Sequence, residues 1–295
     1  MDATQYDEFS LFHENLAEWG LAGPVPPVRR LFVAVDGLRQ LSALAWGEGA
    51  PDLVLVHGGA QNAHTYDTVV LALGRPALAL DLPGHGHSDP GPYGSTAVAS
   101  HAHDVERALE QLVTRATPLV GMSLGGLTSL RVAHERPDLV SRLVMIDITP
   151  GVNAAKARHV TDFVNGPATF DDFDALLART IEHNPTRSVS SLRRGILHNA
   201  VQRPDGTWMW RHQQHPAATV AAPEVGDQWE ELGALRVPVT LVRAMGATSM
   251  VDDEDVAEFR RRQPIGAVVE VPDAGHSVQG DAPLALAAIL SRALA

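Results

Sequence analysis

Cysteine is absent from this chain of 295 residues, which excludes disulfides, thiolate nucleophiles and sulfur-ligated zinc. Cations are under-represented: 23 Lys and Arg stand against 35 Asp and Glu, a formal net charge of −12. A surface of that sign does not suit a nucleic-acid partner, whose phosphates call for a basic face. Charged residues are only 20% and apolar residues 45%, a balance that excludes a largely disordered chain. No run of about 18 uncharged apolar residues occurs, so neither a membrane-spanning helix nor a membrane partner is expected. The opening MDATQYDEFSLFHENLAEWG is acidic and polar, where a secretory leader would be basic and then apolar. The expected location is therefore cytoplasmic.

What is present is an alternation of short apolar runs with helical stretches, the signature of an α/β fold with a mostly parallel sheet and helices on both faces. Eight candidate strands are Leu31–Val35, Leu41–Ala45, Leu53–His57, Ala77–Asp81, Leu119–Gly121, Arg142–Ile148, Val239–Arg243 and Val268–Val271. Asp36-Gly37 between the first two signals a hairpin. Helices are expected over Ser95–Arg115, whose apolar residues recur every three or four positions, over Leu124–Glu135, and over Asp281–Leu294. The alternation breaks between Gly151 and Leu235, where Ala154–Asn165, Phe170–His183 and Val189–Val201 read as helices without a convincing strand. These patterns divide the chain into an N-terminal extension (1–27), a core (28–150 and 236–295) and a mainly helical insertion (151–235) over the sheet's carboxyl edge.

The sharpest motif is Gly121-Met122-Ser123-Leu124-Gly125, between a strand and a helix. A serine standing clear of a sheet must project from a very tight turn, and flanking glycines remove the Cβ atoms that would collide there. Three further motifs accompany it in order: His57-Gly58-Gly59 after a strand, the glycine-rich run from Asp81 to Asp89, and Asp273-Ala274-Gly275-His276-Ser277 near the end. With these four motifs the chain, over roughly residues 28–295, resembles the α/β-hydrolase-fold serine hydrolases that carry a helical cap after the sixth strand.

The resemblance implies a Ser-His-Asp triad with Ser123 as nucleophile and His276 as its base, since a neutral hydroxyl attacks a carbonyl poorly without one. The commonest family position for the acid, a Gly-x-x-Asp turn after the seventh strand, here reads Gly246-Ala247-Thr248-Ser249. The superfamily's other solution places the acid at the end of the sixth strand, which is Asp147. A charge inside the apolar run Val144–Ile148 is costly unless paired, which argues independently for a buried partner. Asp147 is the first choice and Asp252 the alternative. The fold's general rule gives an oxyanion hole from the N–H of Leu124 and one from the Gly58-Gly59-Ala60 turn, Gly59 first, with glycine allowing close backbone approach.

Metal ligation is not expected: His85-x-His87 lies in a turn the family uses structurally, and His101-x-His103 points its rings apart on a helix. Asn62 and His64 are read as loop-capping or solvated groups that could also touch substrate. Trp210 and Phe163 are possible pocket walls, with Trp208 packing in a core. The resulting expectation is a cofactor-independent serine hydrolase cleaving a small or medium apolar ester or lactone through an acyl-enzyme. Carbon–carbon hydrolysis of a ketone or diketone, and a non-catalytic ligand receptor on the same fold, stay open. Dehalogenase and epoxide-hydrolase relatives carry Asp where this chain has Ser123, which disfavours those chemistries.

Overall fold

The computed structural model describes residues 6–92, 98–213 and 225–294. An eight-stranded sheet runs β1 (Val28–Ala34), β2 (Gln40–Trp46), β4 (Ala77–Leu80), β3 (Leu53–Val56), β5 (Thr117–Met122), β6 (Val140–Ile146), β10 (Val239–Ala244) and β11 (Ala267–Val271) in spatial order. The six strands from β4 to β11 are parallel, while β1 and β2 form an antiparallel edge pairing Val33 with Leu41. All eight expected strands are present.

The period of two along each strand sorts the core into layers. On β3, Val54 and Val56 face α3 (Val98–Leu112), α4 (Leu124–Glu135), α8 (Gln228–Ala234) and α9 (Asp253–Arg262). Leu53 and Leu55 face α1 (Phe12–Trp19), α2 (Asp67–Leu73) and α11 (Pro283–Ala293). The last helix is split: α10 (Val278–Asp281) precedes α11, which starts at Pro283, where the missing N–H costs nothing. The start of the expected Ser95–Arg115 helix lies outside the described residues.

The insertion contains α5 (Ala154–Val164), α6 (Phe173–His183) and α7 (Val189–Asn199), capped by Asn153, Asp172 and Ser188. It also contains three strands that the sequence pattern misses: β7 (Thr169–Phe170), β8 (Ala200–Gln202) and β9 (Trp208–Trp210), joined in an antiparallel sheet. Strands of two or three residues are too short for period-two alternation to register. Trp208 and Trp210 share one face of β9 and are both buried in the cap's own cluster with Phe170, Leu176 and Ile196. The carboxyl end of the predicted insertion returns to the core, since Leu232 of α8 and Leu235 pack in the main cluster and Gln228 Nε2 donates to Leu127 O at 2.8 Å.

The N-terminal segment joins both units. Leu11 is buried in the cap cluster, whereas its neighbour Phe12 is buried against Trp46 in the core, ring centroids 4.6 Å apart. Tyr6 Oη bonds His198 Nδ1 at 2.6 Å, Asn15 Oδ1 accepts from Arg194 Nε at 3.0 Å, and Glu18 pairs with Arg194 Nη2.

Candidate active site

Ser123 sits between β5 and α4 with φ 52° and ψ −124°, a left-handed conformation that a non-glycine residue rarely adopts. Its neighbours explain how the turn closes. A Cβ on Gly121 would lie 2.3 Å from Gly125 O, and one on Gly125 would lie 2.3 Å from both His57 O and Val56 O. Helix α4 is thereby packed directly against the end of β3, and the serine is raised above the sheet's carboxyl edge.

His276 lies between β11 and α10. Its Nδ1 is 2.9 Å from Asp147 Oδ2, and its backbone N–H donates to Thr248 Oγ1 at 3.2 Å. The loop is held further by Gly275 N–H donating to Asp281 Oδ2 at 2.9 Å and Gly246 N–H donating to Ala274 O at 2.8 Å.

Asp147 comes directly after β6, at φ 48°, and is wholly buried. Its Oδ1 accepts from Ala244 N–H (2.9 Å) and Ser249 Oγ (2.6 Å), and its Oδ2 from Met250 N–H (3.0 Å) as well as from His276. Four donors offset the desolvation of a carboxylate that would otherwise be untenable there. Ser249, at the last position of the Gly-x-x-Asp-like turn, is thus a donor to the acid on the neighbouring strand. A serine in that place was the sequence signal for this contact. Asp252, the alternative acid, is bonded elsewhere: it is the N-cap of α9, accepting from Asp255 N–H in a capping box, and pairs with Lys156 Nζ at 2.8 Å. Acids at a helix start are satisfied locally, and so it is here.

Ser123 and His276 line one cavity of about 500 Å³. His276 Nε2 is buried and has no hydrogen-bond partner among the described residues, so the bond from Ser123 Oγ to it is not formed in this state. Nucleophile–base bonds are often loose before substrate arrives.

The turn after β3 carries the other predicted donors. Gly58 N–H donates to Gln61 Oε1 (3.3 Å) and Ala60 N–H to His85 Nε2 (3.0 Å), which leaves the Gly59 N–H without an acceptor among the described residues. The N–H of Leu124, first residue of α4, is one of the orphan donors of a helix start. The steric need for glycine falls at Gly58 rather than Gly59: a Cβ on Gly58 would meet Met122 Sδ at 2.5 Å, whereas at Gly59 the nearest contact is an ordinary 3.9 Å.

Two histidines hold this turn: His57, for which the sequence suggested no role of its own, and His85. His57 Nδ1 donates to Gly58 O (2.7 Å) while Nε2 accepts from Leu82 N–H (2.9 Å). Burial lowers its pKa to about 3, so the ring is neutral and its tautomer fixed. His85 likewise bridges Pro83 O and Ala60 N–H, which is the structural use expected of the His85–His87 turn. From the cap, Asn199 Nδ2 donates to Ala60 O at 2.6 Å.

Asn62 caps the short 3-10 helix Ala63–Tyr66, as expected, but His64 is buried rather than solvated. His64 lines the cavity with its ring nitrogens committed, Nδ1 to Asp67 (2.9 Å) and Nε2 to Glu8 (3.1 Å). The carboxylates outweigh its burial and push its pKa up to about 9. Burial also raises the Asp67 carboxyl; the shared proton belongs on His64, which has a carboxylate at each nitrogen. With His198 these two form the one group of metal-ligand type among the described residues, their atoms within 4.8 Å of one another. The His64 and His198 rings are stacked at 3.8 Å and 9°, however, so their in-plane lone pairs lie in separate, nearly parallel planes and do not converge on one ion. Phe163 and Trp210 line the cavity as expected, with centroids 5.8 Å apart.

Residues 53–289 match the model of the alpha/beta hydrolase family. Esterase Rv0045c of Mycobacterium tuberculosis is 41% identical, over 98% of this chain and 96% of its own length. A solved structure of that esterase superposes with a TM-score of 0.85, covering 98% of this chain and 99% of the other. The sn-1-specific diacylglycerol lipase ABHD11 of Mus musculus is 27% identical over 79% of this chain and 77% of its own. E-2-(acetamidomethylene)succinate hydrolase, at 24% identity and a TM-score of 0.79 over 90% of this chain and 98% of that one, shares the fold. With the elbow at Ser123 and the sheet order described above, these matches establish that the chain belongs to the alpha/beta hydrolase family.

Proposed function

We propose that this protein is a serine esterase in which Ser123, His276 and Asp147 form the catalytic triad. The observation that carries the reading is the Asp147–His276 bond beside a serine held at positive φ, both opening on one cavity. The naming of the 41%-identical relative as an esterase supports the reaction class.

Ser123 Oγ attacks the ester carbonyl while His276 Nε2 takes its proton. Asp147 holds Nδ1–H and stabilises the imidazolium, leaving Nε2 as the acceptor. The N–H groups of Gly59 and Leu124 receive the developing oxyanion. His276 then returns the proton to the departing alcohol, leaving Ser123 acylated. Water, activated by the same ring, releases the acid. The cavity volume suits a small or medium ester, and its wall is mixed: Val160, Phe163 and Trp210 form an apolar patch beside amide and charged groups.

A fluorophosphonate probe and p-nitrophenyl hexanoate test this directly. Wild type is expected to be labelled at Ser123 and to turn over, and Ser123→Ala to do neither while melting within a few degrees of wild type. Labelling elsewhere, or undiminished turnover by Ser123→Ala, would refute the triad; no labelling at all favours a receptor on this fold.

A further inference from the structure

The ester mechanism makes no use of a guanidinium in the cavity wall. Arg187, in the turn between α6 and α7, lines the same cavity as Ser123 and His276. Of its five N–H donors one is matched, Nη2 to Ser191 Oγ at 3.1 Å; Nε is buried without a partner among the described residues. The nearest carboxylate oxygen, Asp281 Oδ1, is 3.8 Å from Nε, beyond hydrogen-bond distance, and the other oxygen is taken by Gly275 N–H. Arg194, seven residues later within α7, shows what a satisfied guanidinium looks like here: it donates to Asn15, Ser190 and Glu18.

The placement of Arg187 is specific. Its guanidinium rests on the backbone of α10 at Gly280, four residues after His276, where an added Cβ would be 2.6 Å from Cζ. The charges that face it are Asp281, Glu18 and Arg194, and Glu18 is itself held by Arg194 and Ser188. Burial outweighs the two carboxylates and lowers the guanidinium's pKa, yet an arginine stays charged. The guanidinium is only partly buried, its side chain about a fifth exposed, but its Nε is buried without a partner among the described residues and most of its donors are free to meet an anion in the cavity, where a planar carboxylate matches its fork.

We propose that Arg187 is the recognition site for a carboxylate on the substrate, so that the preferred ester carries a negatively charged end in addition to the scissile bond at Ser123. This rests on the esterase reading and narrows it from an apolar ester to an ester that also bears a carboxylate; the test below places that carboxylate at the end of the acyl chain. Asp281 opposes a second carboxylate, but it lies outside bonding distance of the guanidinium and its Oδ2 is occupied, so the direct bonds to Arg187 dominate.

The test compares mono-p-nitrophenyl adipate with p-nitrophenyl hexanoate, which have acyl chains of equal length and differ in the terminal carboxylate. Wild type is expected to favour the adipate at least ten-fold in kcat/KM. Arg187→Met should collapse that ratio to one or below, mainly through KM, and Arg187→Lys should keep part of it. Free adipate should inhibit hexanoate hydrolysis competitively in wild type, a measurement that needs no variant. A wild-type ratio at or below one, or an Arg187→Met that slows both esters in parallel, overturns the inference. Turnover of either ester that persists in Ser123→Ala overturns the esterase reading instead.

Discussion

Replacing Asp147 with Asn removes one charge and almost no volume, so any loss of turnover must come from that charge and from the hydrogen bonds the carboxylate makes. It accepts from Ala244 N–H and Ser249 Oγ at one oxygen and from Met250 N–H and His276 Nδ1 at the other. An amide has one oxygen, so two of these donors face an N–H₂ group. With the amide oxygen kept toward Ala244 and Ser249, Met250 N–H loses its acceptor, and each such buried loss costs about 1–3 kcal/mol. The larger effect is on His276. To accept from the new N–H₂ its Nδ1 must give up its proton, which moves to Nε2, and Nε2 can then no longer take the proton of Ser123. Triads with this lesion lose about four orders of magnitude in turnover, roughly 5.5 kcal/mol of transition-state stabilisation. The assay is kcat/KM for p-nitrophenyl hexanoate beside a thermal melt on the same samples. Asp147→Asn should fall by that factor while still folding, and Asp252→Asn should keep its N-cap, lose only the half-exposed Lys156 ion pair, worth at most about 1 kcal/mol, and retain turnover. An Asp147→Asn enzyme within ten-fold of wild type, or an Asp252→Asn enzyme that is dead, would refute the assignment.

Gly125→Ala should cost at least about 3 kcal/mol in a denaturant melt, because its Cβ meets two carbonyl oxygens at 2.3 Å, whereas Gly59→Ala should fall within about 1 kcal/mol of wild type. On the acid side, His57, His85, His87, His198 and His212 all have pKa values depressed by burial. The unfolded chain therefore binds more protons below about pH 6.5, and the melting temperature should drop as pH falls from 7 to 5, each ring contributing up to about 1.4 kcal/mol per pH unit; a flat or rising melt over that range contradicts the neutral buried rings. On the alkaline side His64, raised to about 9, contributes stability that is complete below about pH 6.5 and is lost as pH rises through 9. His64→Gln should flatten the decline between pH 7 and 10, and an unchanged slope would place the proton elsewhere.

Much of this was legible in the sequence because the physics involved is local. The parallel sheet comes from apolar runs bounded by turn residues, and the elbow from a serine flanked by glycines, of which Gly121 is required by a carbonyl four residues away while Gly125 is required by the distant end of β3. Asp147 could be read because an acid within Val144–Ile148 has no local means of satisfaction, while Asp252 could be set aside only when its capping box and Lys156 were seen. The rest depends on tertiary contacts that leave no periodic trace. Arg187 and Asn199 are ordinary polar residues until the cap folds over the site, and β7 to β9 are shorter than any pattern that would reveal them. That the steric need for glycine falls at Gly58 rather than Gly59 is decided by the position of Met122 Sδ, which no spacing rule contains.

The strap formed by Tyr6, Leu11, Asn15 and Glu18 bears on how the molecule is made. Its partners Arg194 and His198 stand 179 and 192 positions later in the chain, among the widest loops closed anywhere in the molecule. Closing such loops is entropically slow and brings no reward until the distant segment exists. During synthesis Phe12 can pack on Trp46 early, but Leu11 must wait exposed until α7 has emerged, so the insertion is tied down over the cavity in a late step of folding.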